Sequence, residues 1–216
     1  MSIQKRFTEP ELEKIKQAVR EAEKKISGEI VPVFVEKSGY YSIANHRAGF
    51  MGAALVFLMV ILFDRYVPAR AIYDPLVIFL LCVLAGLTAS LIANYIVPVK
   101  RLFLNQAYLN EATRKRAESA FLQEEVFNTR HRTGIMIFVS FFEREVIVMA
   151  DRGISKVVEQ KEWDKMVRGI TDNIKVGKVT DGIVAAIIRS GEILLEKGFV
   201  KTSDDINELR DDLRIE

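Results

Sequence analysis

Residues 48–63 run sixteen positions without a charge, residues 75–97 run twenty-three more, and only eleven residues separate them. A backbone in hydrocarbon must satisfy its own hydrogen bonds, so in lipid such a pair becomes two helices joined by a tight turn. At 1.5 Å per residue the second run makes a helix of about 34 Å, enough for a hydrocarbon core of about 30 Å with some tilt. The first run reaches only about 24 Å and spans only if the bilayer thins or if Arg47 and Arg65 snorkel to the interface. The competing structure, a pair of buried core helices, is disfavoured by the length of the runs. A membrane hairpin over residues 46–98, with spans near 48–66 and 75–97, is therefore expected.

Lys and Arg set the expected orientation. The break between the runs carries Arg65 and Arg70. The other side has Lys37 and Arg47 before the first span, and Lys100, Arg101, Arg114, Lys115 and Arg116 after the second. The positive-inside rule then places both termini and the soluble part in the cytoplasm. The N-terminus is charged and amphipathic, unlike a signal peptide, so the first span is expected to do the targeting.

Outside the hairpin the charges are mixed. Thirty-one basic and twenty-nine acidic residues give a net charge of +2, which provides no argument for a nucleic-acid partner. The single cysteine, Cys82, lies in the second run and supports neither an intrachain disulfide nor a thiolate metal site.

The first helix carries its own start signal. Thr8 and Glu11 have capping-box spacing, with Phe7 and Leu12 placed as a hydrophobic staple. Leu12, Ile15, Val19, Ala22 and Ile26 form an apolar stripe, and Gly28 is placed to end the helix. Residues 29–36 read as a strand buried on both faces, although Pro32 argues against a fully central position. Tyr40, Tyr41 and Tyr95 suit an interfacial belt.

After the hairpin, residues 100–128 read as a helix with Leu102, Ala117, Phe121 and Val126 facing inward. Residues 135–141 and 146–150 are strands whose short connection makes them an antiparallel pair. Trp163, Met166, Val167, Ile170 and Ile174 mark one helix. Thr180 or Asp181 is expected to cap another, carrying Ile183, Val184, Ile187, Ile188, Leu194 and Leu195, with Phe199 closing the core. Residues 201–216 read as a charged, mobile tail.

The fold class is thus α/β, a small mixed sheet packed between helices and interrupted by the apolar hairpin. Residues 1–45 cannot bury the helix stripe and the apolar strand alone. They are expected to join residues 99–200 in one discontinuous domain.

The stretches at residues 22–36 (AEKKISGEIVPVFVE) and 132–154 (RTGIMIFVSFFEREVIVMADRGI) resemble the TPM domain family, as do the Trp163 helix and residues 180–199. The resemblance covers nearly all of the soluble part and implies a small mixed sheet between helices. For some relatives it implies acid phosphatase activity, calcium binding or upkeep of membrane complexes, and for many no settled function. The pattern departs from better-described relatives, which usually follow the domain with one terminal span and face a lumen, periplasm or exterior.

No phosphate-cradling glycine loop, HExxH motif or serine elbow is present. His46 at the membrane boundary and His131 in a basic run are poor general bases. Asp151 is the best single candidate for catalysis, at a strand end and followed by Gly153. If the first and third strands are parallel neighbours, Asp151 comes near Glu36, and the pair could share Ca²⁺ or Mg²⁺. Arg152 would then be placed to meet a lipid phosphate. The plainer reading, that Asp151 caps a turn, is favoured. Asp181 is best read as a helix cap.

Gly49/Ala53 and Gly86/Ser90 are small-residue pairs that permit close packing, best read as contact within the hairpin. A membrane-anchored accessory or scaffolding protein is favoured, with the lipid bilayer and a membrane-associated protein as partners. A metal-dependent acid phosphatase is the alternative, and whether the chain is an enzyme stays open.

Overall fold

The computed structural model describes residues 6–201 and 214–215. The chain forms two compact units, Met1–Gly39 with Asn110–Glu216, and Tyr40–Leu109. In chain order the helices are α1 (Glu9–Glu23), α2 (Ser42–Tyr66), α3 (Pro75–Tyr95), α4 (Val97–Leu102), α5 (Gln106–Gln123), α6 (Arg152–Ser155), α7 (Gln160–Lys175) and α8 (Val179–Glu196). The strands are β1 (Glu29–Val35), β2 (Gly134–Ser140), β3 (Glu145–Ala150) and β4 (Arg214–Ile215).

The first unit is an α/β sandwich on a mixed sheet of order β3-β2-β1-β4. β1 and β2 are parallel, with Glu29 opposite Gly134 and Val35 opposite Ser140. β3 returns antiparallel to β2, as the short connection predicts, with Ile135 opposite Ala150 and Ser140 opposite Glu145. Every residue of β1 and β2 is buried, which explains their nearly uninterrupted apolar sequences. One face packs Ile30, Phe34, Ile135 and Ile137 in a core with Ile15, Trp163 and Ile187 of α1, α7 and α8. The other packs Val31, Val33, Met136 and Phe138 against Ala117 and Ala120 of α5. Pro32 is tolerated because β4 pairs only with Val33 and Phe34 among the described residues.

The start of α1 follows its sequence signal. The Glu11 carboxylate accepts the Thr8 backbone N–H at 2.7 Å and its hydroxyl at 2.8 Å, closing the capping box. Phe7 goes beyond a staple: its ring lies 5.3 Å from Phe34 and 5.9 Å from Phe141, inside the core. The end of the helix corrects the expectation. α1 stops at Glu23, and Ile26 instead bridges Val200. Gly28 is required for close approach, since a Cβ there would lie 2.9 Å from the Thr133 carbonyl oxygen and 2.9 Å from Leu194 Cδ1.

Four further expectations are corrected. The helix over residues 100–128 is broken into α4 and α5, where Asn105 accepts the Ala107 N–H at 3.0 Å, and Leu102 is 82% exposed. Lys178 precedes α8 as its cap residue, so Thr180 and Asp181 fall inside the first turn. Ile188 and Leu195 face solvent rather than the core. The tail expectation fails at its one described piece: Arg214 and Ile215 pair with β1, and Arg214 Nε lies 2.6 Å from Glu124. Residues 202–213 and 216 lie outside the described residues.

The second unit contains two helices long and apolar enough to cross a membrane, α2 with 25 residues and α3 with 21. Their lengths are about 37 and 31 Å, and the extra length of α2 beyond its uncharged run comes from ends that carry Arg47, Asp64 and Arg65. Asp74 caps α3 by accepting the N–H groups of Leu76 and Val77 at 2.8 and 3.1 Å, with Pro75 in the first helical position. The exposed Arg47 guanidinium donates to the Phe103 carbonyl oxygen at 2.9 Å. Asn94 accepts from the Asn45 amide at 3.0 Å, joining the two helices by a polar clasp. Tyr41 is buried edge-on against Tyr108 at 5.8 Å, whereas Tyr40 and Tyr95 are exposed.

Candidate functional site

The strand order decides the first candidate. β2 separates β1 from β3, and β3 runs opposite to β1. The Asp151 N–H donates to Gly134 at 2.9 Å, beside the Glu29 end of β1, whereas Glu36 follows the other end. At about 3.3 Å per residue, a seven-residue strand puts roughly 20 Å between them. The Glu36–Asp151 metal pair is therefore corrected: parallel neighbouring strands would have been needed, and this topology forbids the meeting.

Asp151 has a local task instead. It is 5% exposed and is the N-cap of α6, where its Oδ1 accepts the Arg152 N–H at 2.6 Å. Its buried Oδ2 has no hydrogen-bond donor, and Arg132 Nη1 stands 3.8 Å away. Gly153 allows the backbone approach anticipated for it, since a Cβ there would sit 2.5 Å from the Arg132 carbonyl oxygen.

At the opposite sheet end the β2–β3 connection carries a polar cluster. Glu143 is 1% exposed and accepts the Ser38 N–H at 2.8 Å and the Ser140 hydroxyl. The Ser38 hydroxyl in turn donates to Ser140 at 2.9 Å. Glu145 belongs to the same cluster, and burial pushes its carboxyl up from the ordinary value, opposed by a hydrogen bond to Thr113 and reinforced by the Glu143 charge. Its Oε2 is buried without a hydrogen-bond partner. The network fastens the β2–β3 turn to the segment that follows β1.

Beside this turn, on the sheet face that carries α1 and α7, opens a cavity of about 660 Å³. Phe7, Phe141 and Val146 line its apolar part, and Arg6, Arg144 and Lys175 its rim. Arg6 lies over the Phe141 ring at 4.7 Å, a cation–π contact. Arg144 has φ +57°, a left-handed conformation that a hairpin loop normally gives to Gly or Asn. No sequence signal marks Arg144, because its φ depends on a four-residue loop whose register is set by β2 and β3.

The remaining candidates are structural in their contacts. Asp181 pairs with Lys14 at 2.7 Å, and that hydrogen bond and charge hold its carboxyl below the usual range. The Thr180 hydroxyl donates to Glu11 at 3.1 Å, so the first turn of α8 is tied to that of α1. His46 and His131 are exposed. Among the described residues no three His, Cys, Asp or Glu side chains gather as a metal site.

Three comparisons bear on the fold. Curated protein sequences give no match. The NMR structure of the BA42 protein from the psychrophilic bacterium Bizionia argentinensis is similar, with a TM-score of 0.57 and 21% identity over 96% of this chain and 94% of that one. At that identity the likeness shows the fold alone. A family model described as the TPM domain matches residues 93–193, from the end of α3 into α8, leaving α1 and β1 outside the match. The β2–β3 hairpin and the helices that follow it fall within that match, so residues 93–193 are similar to a TPM domain.

Proposed function

We propose that this protein is an accessory or scaffolding module, held in a bilayer by the α2–α3 hairpin, whose TPM unit binds a membrane-associated protein. The carrying observation is the surface of the hairpin. Phe50, Leu55, Phe57, Phe79, Leu84 and Leu91 are each more than half exposed, amid many other exposed apolar side chains. Contiguous apolar area on that scale exceeds what a soluble monomer leaves to water. A bilayer covers it, and the Lys and Arg distribution favours a cytoplasmic TPM unit.

The phosphatase alternative receives less support from the residues. Calcium takes six to eight oxygen ligands, and magnesium chemistry on phosphoryl groups needs carboxylates that converge. Glu36 and Asp151 lie at opposite ends of the sheet, so the donor set does not fit the ion.

The test is extraction of cell membranes containing the full chain with alkaline carbonate, then with detergent. The proposal expects the chain to stay in the carbonate pellet and to be released by detergent. Quantitative release by carbonate would refute the anchor.

A further inference from the structure

We propose that the groove between the N-terminus of α1, the β2–β3 turn and the end of α7 binds anionic lipid headgroups, which would orient the TPM unit on the bilayer. The inference rests on the anchored reading above and adds the chemistry of one contact. Three separate elements supply cations to the groove: Arg6 ahead of α1, Arg144 in the turn and Lys175 at the end of α7. No carboxylate lines it among the described residues. Lys175 pairs with Asp172 at 3.0 Å, both side chains being exposed, and Arg144 lies between Glu143 and Glu145 in the chain.

Arg144 carries the most weight. Its guanidinium makes no hydrogen bond or ion pair among the described residues, and its backbone holds a left-handed φ of +57° that Gly would adopt without strain. Arg144 is exposed, so its guanidinium is open to an anion arriving from outside the fold. The lipid source follows from the chain itself. Phe141 and Phe142, in the same turn, donate to the carbonyl oxygens of Val35 and Glu36 at 3.1 and 2.9 Å. From Glu36, six residues lead to Ser42, where α2 begins. The segment that carries these carbonyls is thus tied to the anchor by a short stretch of chain. Near an anionic surface each Lys or Arg adds appreciable attraction that decays within a Debye length.

The experiment is hydrogen–deuterium exchange on the full chain in nanodiscs of phosphatidylcholine alone or with phosphatidylglycerol, for wild type and Arg144→Gly. Arg144→Gly relieves the left-handed strain and so keeps the fold. The rate ratio between the two disc types is read within each protein. The expected result is exchange of the β2–β3 turn about fivefold slower in anionic discs, reduced toward unity in Arg144→Gly and by high salt. A wild-type ratio of one in loaded discs overturns the lipid contact and leaves the anchor standing. Failure to enter discs of either kind overturns the anchor, and the lipid contact with it. Protection of the turn in neutral discs by an added Glu/Leu peptide, with none from anionic lipid, assigns the groove to an acidic protein segment and refutes the proposal.

Discussion

Gly49 and Gly86 lie back to back across the α2–α3 pair: a Cβ on either would come 3.1 Å from the other's carbonyl oxygen. Gly52 is tighter still, with a Cβ there 2.6 Å from Ala89 Cβ and 2.9 Å from the Ala85 carbonyl oxygen. Small residues let two helices approach when lipid offers no hydrophobic drive between them.

Gly52→Leu should therefore pry the pair apart and cost about 1–3 kcal/mol, whereas Leu84→Ala on the exposed face should cost far less. Thermal unfolding of both variants in one detergent checks this. Equal melting temperatures for the two variants would contradict the close packing.

A second pair of glycines separates crowding from conformational freedom. A Cβ at Gly134 would lie 2.0 Å from the Val126 carbonyl oxygen, while one at Gly169 in α7 meets nothing within 4 Å. Gly134→Ala should destabilise the TPM unit by several kcal/mol, on the order of the larger core substitutions. Gly169→Ala should stabilise it by about 1 kcal/mol through helix propensity. Chemical denaturation followed by circular dichroism reads both, and a neutral Gly134→Ala would refute the described approach of the Val126 loop.

Much of this architecture is legible in the residues because it is local. The Thr8–Glu11 capping box, the buried runs of β1 and β2 and the uncharged lengths of α2 and α3 each depend on neighbours in sequence. What the sequence does not show is lateral. Nothing in residues 29–36 or 146–150 says that β2 lies between them, and the Glu36–Asp151 pairing fails on that order alone. The α8 cap is misplaced because Thr180 and Asp181 are good cap residues whose side chains are claimed by Glu11 and Lys14 of another helix. Arg144 and Arg214 are invisible for the same reason: one depends on loop register, the other on an edge strand far along the chain.

Asp151 is a capping residue in this account. Asp151→Ala should cost about 1 kcal/mol, whereas Asp151→Asn keeps an acceptor for the Arg152 N–H and should cost less. Hydrolysis of a phosphomonoester, with Ca²⁺ or Mg²⁺, should stay at background for wild type and Asp151→Asn alike. Metal-dependent turnover that vanishes in Asp151→Asn would make this protein an enzyme with its site at that strand end.

Glu145 predicts a pH dependence. Its carboxyl is raised above the ordinary value of 4.5, first by burial and then by the Glu143 charge. The folded state therefore keeps this proton to higher pH than the unfolded chain. Stability falls as pH rises from the unfolded value through the raised folded one, and is unaffected by this group well below both. Glu145→Gln should be more stable than wild type near neutral pH, with the advantage fading toward about pH 4. Melting temperatures of the two proteins across that range decide it, and an advantage that grows on acidification would contradict the assignment.

The central claim is that α2 and α3 cross a bilayer as a hairpin, with the TPM unit on the cytoplasmic side. Single cysteines at Ala69, between the helices, and at Lys156, in the TPM unit, placed in a Cys82→Ala chain, allow a direct test with an impermeant maleimide on intact cells. The account predicts labelling at Ala69→Cys without permeabilisation and at Lys156→Cys only after it. Equal labelling of both positions on intact cells, or the reverse order, would contradict it.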